Sequence, residues 1–304
     1  MSRIYDVIVI GGGPGGFTSA IYCTMAGFDT LVVEKATVGG QMCDTMFIEN
    51  YPGFDNSVDG VTLGNKMQNT AKRYGAKVVM EEVTEVCLKD DIKIIKTKNN
   101  ILYSKSVVVA TGAQHKCLGI ENEKKLTGRG VSYCATCDGM FYKNKVAAVV
   151  GGGNSALSAA IHLSKICKKV YVIHRRDTFR AMKMYVNSVG NLGNTEVCCN
   201  SIVEELMYEN KLSGIKIRNV KSGEVGYIYC EGLFVSIGRT PETKLFKGQL
   251  DLDMSGYIVA DESTRTNLKG VFAVGDVRTK HLRQIVTATA DGAVAAHFIE
   301  EYLL

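Results

Sequence analysis

An α/β protein with two copies of one strand–turn–helix–strand unit is predicted by three features of the 304-residue sequence. A glycine-rich turn, Gly11-Gly12-Gly13-Pro14-Gly15-Gly16, follows an apolar, β-rich run and precedes a helix-forming stretch. A second turn, Gly151-Gly152-Gly153-Asn154-Ser155-Ala156, repeats that arrangement 140 residues later. Just ahead of the second turn stands Cys134-Ala135-Thr136-Cys137-Asp138, a paired dithiol with a carboxylate beside it.

Taken in order, residues 5–10 read as a strand, the next stretch as a helix to Met25 with Gly27 able to cap it, and residues 30–33 as a second strand ending in Glu34. Residues 36–106 are less distinctive. Val38-Gly39-Gly40-Gln41 and Glu49-Asn50-Tyr51-Pro52-Gly53 read as loops continuing the first turn, 58–75 as a helix, and 78–98 as alternating strands. Residues 107–112 read as a buried strand ending at Thr111-Gly112. Beyond the second unit, 195–237 read as short strands and 270–276 as a strand with a Gly275-Asp276 end. Residues 284–303 read as an alanine-rich helix with Val286, Val294, Phe298 and Leu303 for packing.

Apolar residues make up 46% and charged residues 22%, a composition that supports a large core and excludes a disordered chain. A net charge of +5 is too mild for a nucleic-acid-binding face. No run of about 18 apolar residues suggests a membrane span. The first apolar run is too short for a secretory core and leads straight into the glycine turn. Ten cysteines without a leader fit a reducing, cytoplasmic setting, with Cys23, Cys43, Cys87, Cys117, Cys167 and Cys230 expected as buried small hydrophobes.

Gly11, Gly13 and Gly16 complete G-x-G-x-x-G, set between two strands, and Glu34 follows Gly11 by 23 residues. In that context the glycines let the backbone approach a pyrophosphate at the helix N-terminus, and Glu34 accepts hydrogen bonds from a ribose. The alternative is an ordinary glycine-rich turn beside a surface Glu. In the repeat, Gly151 matches Gly11, Gly153 matches Gly13, Ala156 matches Gly16, and His174 stands where Glu34 stood. Arg175, Arg176 and Arg180 follow. An acid repels a 2′-phosphate, whereas two arginines pair with one through charge-assisted bonds. Unit one is therefore expected to hold a non-phosphorylated adenosine, as in FAD, and unit two to prefer NADPH; a solvated basic loop is the alternative for the arginines.

Cys134 and Cys137 read as a redox-active pair. Zinc would need two further ligands, and neither the adjacent Cys198-Cys199 nor the scattered histidines supply a ligand pattern, so no metal is expected. A structural disulfide does not suit a reducing compartment. Asp138 is placed to manage the proton released or taken up as the disulfide opens and closes. A pyridine nucleotide delivers two electrons as hydride, which a disulfide accepts poorly; a flavin accepts the hydride and can pass the electron pair to sulfur, so two nucleotide sites and a dithiol make one electron path. Asp276 reads equally as a partner of the ribityl chain or as a turn residue.

These residues resemble the low-molecular-weight, bacterial-type thioredoxin reductases, class II of the pyridine nucleotide-disulfide oxidoreductases. The likeness runs through Cys-Ala-Thr-Cys-Asp-Gly at 134–139, Gly-Gly-Gly-Asn-Ser-Ala at 151–156 and His-Arg-Arg-Asp-Thr-Phe-Arg-Ala at 174–181. It extends to Gly-Gly-Gln at 39–41, Glu-Asn-Tyr-Pro-Gly at 49–53, Gly-Asp at 275–276 and Arg-Gln at 283–284. The resemblance implies two Rossmann-like dinucleotide-binding domains, the second inserted into the first: 1–115 and 246–304 for FAD, 116–245 for NADPH with the dithiol. It implies hinges near Lys116-Cys117 and Lys244-Leu245, about which the domains rotate so that the flavin meets disulfide and nicotinamide in turn. It also implies a homodimer that reduces thioredoxin or a thioredoxin-like protein.

Carried over by motif, Gly11, Gly13, Gly16, Glu34, Lys35, Gly40, Gln41, Asn50, Thr111, Gly112, Gly275, Asp276, Arg283 and Gln284 would serve FAD. Gly153, Asn154, Ser155, His174, Arg175, Arg176 and Arg180 would serve NADPH, and Cys134, Cys137 and Asp138 would be catalytic. Ser158 and Ala159 depart from the family, which commonly carries two acids there. The competing readings are a ferredoxin-dependent reductase, a dithiol oxidase, and a non-catalytic redox sensor or zinc protein on the same scaffold.

Overall fold

The computed structural model describes residues 3–45 and 48–304. It divides into two compact units: the residues up to Gln114 together with Thr240–Leu304, and His115–Arg239. The first unit opens with β1 (Ile4–Ile10), α1 (Pro14–Met25) and β2 (Thr30–Glu34). Next come α2 (Gly60–Arg73), β3 (Lys77–Met80), β4 (Val83–Cys87), β5 (Lys93–Thr97), β6 (Ile101–Val109) and β7 (Ala113–His115). The second unit follows with α3 (Glu123–Leu126), β8 (Val131–Ser132), α4 (Ala135–Asp138), β9 (Val146–Val150), α5 (Asn154–Ser164) and β10 (Lys169–Ile173). It continues through α6 (Lys183–Gly190), β11 (Thr195–Cys198), β12 (Ser201–Tyr208), β13 (Leu212–Asn219), β14 (Val225–Ile228) and β15 (Gly232–Val235). β16 (Arg239–Pro241) carries the chain back, and β17 (Val271–Ala273) and α7 (Ile285–Leu303) complete the first unit.

In the first unit β3, β2, β1 and β6 pair in parallel, and β6 is longer than the expected 107–112 strand. Its first half pairs antiparallel with β5 (Tyr103 opposite Ile94), and its second half pairs parallel with β17 (Val108 opposite Phe272). The residues of β1 alternate between two apolar layers. Val7 and Val9 join Phe17, Ala20 and Ala295 beneath the helices; Ile8 and Ile10 join Val107, Phe246 and Leu250 on the other face. The second unit repeats the plan on a five-stranded parallel sheet, β11-β10-β9-β15-β8, with the antiparallel β12-β13-β14 as a separate sheet. Val149 and Val172 pack toward α5, while Ala148 and Ile173 pack against Leu206 and Ile215.

The return crossing lies at Arg239–Thr240 rather than at 245/246. Phe246 explains the shift: it is fully buried in the core of the first unit, which claims the chain from Thr240 onward. Of the packing residues expected on the last helix, Phe298 and Leu303 pack against the core of the first unit, whereas Val286 is exposed; the buried residues are Ala288, Asp291, Gly292, Ala295, Ala296 and Ile299. Small residues are required because α7 meets α1 backbone to backbone, where a Cβ on Gly292 would lie 2.5 Å from the Gly15 carbonyl oxygen. Of the scattered cysteines, Cys23, Cys167 and Cys230 are buried, but Cys43 and Cys87 are half-buried and Cys117 is exposed, 3.5 Å from the Tyr133 hydroxyl. Among the described residues, no helix is long and apolar enough to cross a membrane.

Asp291 is the one acid on that buried helix face. Its carboxylate accepts the Gly275 N–H at 2.8 Å, two bonds from the Arg278 guanidinium at 2.9 and 2.7 Å, and one from Lys280 at 2.8 Å. Burial opposes its ionisation, but the Arg278 and Lys280 bonds outweigh burial and hold the carboxyl below its ordinary range. The stabilisation is therefore full above the unfolded-state pKa and is lost as pH falls through the lowered folded value. Asp291→Asn strands two buried cations and is expected to cost about 3–5 kcal/mol at neutral pH. Urea unfolding at several pH values measures it, and the gap to wild type should narrow below roughly pH 4.

Candidate dinucleotide and redox sites

At the first turn, Gly11 has φ +109°, and a Cβ there would lie 2.4 Å from the Ala110 carbonyl oxygen. A Cβ on Gly16 would lie 2.0 Å from the Gly11 carbonyl oxygen, so helix and turn touch only because both residues are glycine. Gly13 is different. No atom lies within 4 Å of its Cβ position, and no side chain caps α1, whose first N–H groups face that open space. Uncapped N–H groups around a cradle of this kind fit the pyrophosphate of a dinucleotide. Glu34 is buried at the end of β2, accepting the Gly12 N–H at 2.6 Å and the Ala36 N–H at 2.9 Å. Lys35 beside it is exposed.

Distant segments of the first unit converge on this turn. The Gly39 N–H donates to the Gly12 carbonyl at 2.8 Å, and Gly40 lies against Gly13. Gln41 follows in the same short helical turn, Gly40–Asp44. Gly275, with Asp276 next to it, lies against Gly15 at the start of α1. The Asn50 amide donates to Gln284 Oε1 at 3.0 Å across 234 residues of sequence, and Gln284 caps α7 through a capping box with Thr287. Two further expected site residues make contacts within the chain. Thr111 donates its hydroxyl to the Glu242 carbonyl at 2.8 Å, next to Gly112, whose carbonyl accepts the Glu242 N–H at 3.0 Å. The Arg283 guanidinium lies 4.1 Å over the Tyr257 ring and donates to the Arg278 carbonyl at 3.4 Å.

The second turn reproduces the first. Gly151 has φ +149° and its Cβ position is 2.3 Å from the Ser236 carbonyl oxygen; Gly153 again faces open space before an uncapped helix, α5. Asn154 Oδ1 accepts the Met182 N–H at 2.9 Å, and Ser155 is exposed. Arg175, Arg176 and Arg180 are all exposed, and among the described residues none of the three guanidiniums forms an ion pair. Asp177, which sits among them, is instead taken by Lys221 at 2.8 Å. Three unpaired guanidiniums beside a dinucleotide turn are the donor set a 2′-phosphate needs. His174 is not among the exposed cations: it is buried, with Nε2 3.0 Å from the Thr178 carbonyl oxygen.

Cys134 and Cys137 are joined as a disulfide with Cα atoms 5.3 Å apart, both half-buried, at the short helix α4 that follows β8. Cys134 Sγ accepts the Cys137 N–H at 3.2 Å and lies 3.4 Å from the exposed Thr136 hydroxyl. Ser132 ties the site together. Its hydroxyl accepts the Cys134 N–H at 3.0 Å and donates to Asp138 Oδ2 at 2.6 Å. Burial raises the Asp138 pKa, and the Ser132 bond offsets this only in part. Tyr133, the residue before the disulfide, donates to the buried Glu123 at 2.8 Å. Sequence reasoning missed Ser132, whose contact is made across a turn with no pattern to signal it. It also missed Asp291, which the helical spacing with Ala288 and Ala295 could have exposed.

Two glycine turns before uncapped helices, paired with Glu34 in one unit and His174 in the other, with a disulfide in the unit that carries the arginines, fit a nucleotide-linked disulfide oxidoreductase. The chain belongs to the pyridine nucleotide-disulphide oxidoreductase family, whose model matches residues 5–292. Among its relatives, the thioredoxin reductase of Streptomyces coelicolor is 44% identical over 100% of this chain and 95% of its own length. That of Listeria monocytogenes is 42% identical over 99% and 94%. The crystal structure of thioredoxin reductase from Streptococcus pyogenes superimposes with a TM-score of 0.94 at 38% identity, covering 100% of this chain and 99% of that one.

Proposed function

We propose that this chain is an FAD-containing enzyme that uses NADPH to reduce the disulfide of thioredoxin or a thioredoxin-like protein through Cys134 and Cys137. The observation that carries this reading is the half-buried Cys134–Cys137 disulfide linked through Ser132 to Asp138, in the unit that presents Arg175, Arg176 and Arg180. Gly11, Gly13, Gly16, Glu34, Gly40, Gln41, Asn50, Asp276 and Gln284 hold FAD in the first unit. Gly153, Ser155 and the three arginines hold NADPH in the second. FAD, when bound, would supply two-electron chemistry, taking one hydride from the nicotinamide and making its electron pair available to sulfur.

The chain's own residues then manage sulfur and proton. Opening the Cys134–Cys137 bond takes up two electrons and two protons, and closing it on a partner disulfide returns them. One thiolate attacks the partner to form a mixed disulfide; the other resolves it. Asp138 retains its proton to a higher pH than an ordinary carboxyl because it is buried, so it donates to a leaving thiolate, and Ser132 fixes its orientation. The eight remaining cysteines are free thiols, which supports a reducing, cytoplasmic setting, and the likeness to its relatives supports a homodimer.

Anaerobic addition of one equivalent of NADPH should bleach the bound flavin, and thioredoxin should restore its colour. A protein that binds no flavin, or a flavin that NADPH leaves oxidised while NADH reduces it, defeats the proposal. Asp138→Asn should slow thioredoxin-dependent turnover by about 10²–10⁴-fold and leave flavin reduction by NADPH nearly intact. The acid form is lost as pH rises through the raised pKa, so wild-type turnover should decline on the alkaline side along a limb missing from the variant. Equal losses in both half-reactions would count against this role.

A further inference from the structure

We infer that His174 is a positioning residue, a buried plug that shapes the arginine loop around Gly152, and not itself a ligand of the 2′-phosphate. The inference deepens the reading of Arg175, Arg176 and Arg180 as the phosphate site and rests on it. In the first unit Glu34 reaches back to the turn and accepts the Gly12 N–H. In the second unit the equivalent residue reaches back as a ring. A Cβ on Gly152 would lie 2.1, 2.3 and 2.6 Å from His174 Cε1, Nδ1 and Nε2, so the imidazole occupies the space of a side chain at 152. The ring also stacks on Phe179, with centroids 5.1 Å apart and planes at 22°. His174 is therefore held between the dinucleotide turn and the far limb of its own loop.

The loop closes around this ring. Arg180 N–H donates to the Gly152 carbonyl at 2.9 Å, and Asn200 N–H donates to the Arg176 carbonyl at 3.1 Å. His174 N–H and carbonyl are both engaged, by the Cys198 carbonyl at 3.0 Å and the Ser201 N–H at 2.9 Å. A carbonyl only accepts, so Nε2 facing Thr178 carries the proton, and in the neutral ring Nδ1, which lies against Gly152, has a lone pair and no proton to donate. The charged groups facing the imidazole are Arg175, Arg176 and Arg180, and burial followed by these cations keeps it neutral against the opposing Thr178 bond. A neutral ring that is 5% exposed has neither charge nor reach for a phosphate; the arginines at its rim have both.

The test is equilibrium titration of the flavin-loaded protein with adenosine 2′,5′-bisphosphate and with 5′-AMP, between roughly pH 5.5 and 8.5. His174→Ala should weaken the bisphosphate by about tenfold or more, a stacked ring and a loop's order being lost together. It should leave 5′-AMP unchanged, which also shows that the turn remains folded. His174→Phe keeps a flat ring on Gly152 and Phe179 and should stay within about threefold of wild type. The pH dependence of wild type and His174→Phe should coincide. If His174→Phe binds as poorly as His174→Ala, or if wild type alone gains affinity on acidification, His174 is a phosphate ligand and the inference is overturned. A wild-type protein that does not distinguish the two probes overturns the arginine reading as well, and that failure is visible before any His174 variant is made.

Discussion

Cys134→Ser or Cys137→Ser is expected to stop reduction of a disulfide partner by at least ~10³-fold while NADPH still bleaches the flavin, because the covalent route to the partner is gone. The two sulfurs act as a unit, and each variant removes the whole path from bound nucleotide to protein substrate. Thiol titration in denaturant separates this from a folding defect. The oxidised chain holds eight free cysteines out of ten, so wild type should titrate eight thiols before NADPH and ten after. Either serine variant has one cysteine fewer and no disulfide, and its count should be the same before and after NADPH. A variant that still cycles with thioredoxin would move the chemistry to another sulfur.

Arg175→Ala combined with Arg176→Ala should abolish the preference for NADPH over NADH. Charge-assisted hydrogen bonds contribute roughly 1.5–3 kcal/mol each when intact. Both guanidiniums are exposed, so solvent screening places the pair near the lower end, about 3 kcal/mol or two orders of magnitude in NADPH affinity. NADH has no 2′-phosphate and should change little. Raising salt should weaken NADPH in wild type and much less in the double variant. Steady-state constants for both nucleotides at two ionic strengths check all of this, and equal losses for the two would remove the arginines from the phosphate.

The units were legible where local chemistry and fold agree. β1, the glycine turn, α1 and β2 were readable because apolar runs, glycines and a terminal acid all point the same way, and the repeat at Gly151 made each copy support the other. The exposure of Arg175, Arg176 and Arg180 is readable for a similar reason, since a run of charges in a loop after the second strand of the repeat has no core to enter. What escaped the sequence depends on contacts between distant segments. Asn50 finds Gln284, and Ser132 finds Asp138, through folded geometry alone. His174 heads the basic run in the sequence and matches Glu34 in the repeat, and only the fold shows its ring buried against Gly152. On α7 the sequence points correctly to Phe298 and Leu303 but not away from Val286, because hydrophobicity says nothing of the approach of α1 at Gly15, which admits only small residues. The return crossing was placed late because nothing local announces that Phe246 serves the first core.

The strands that carry the chain out and back, β7 and β16, are hydrogen-bonded neighbours, with the Gly112 carbonyl accepting the Glu242 N–H. The stretch His115–Arg239 therefore departs from and rejoins its host at nearly a single point. A tight reverse turn of about two residues could bridge that gap and leave the host sheet unbroken. The His115–Arg239 unit is thus an insertion whose replacement by such a turn would leave the strand pairing of the host sheet unchanged.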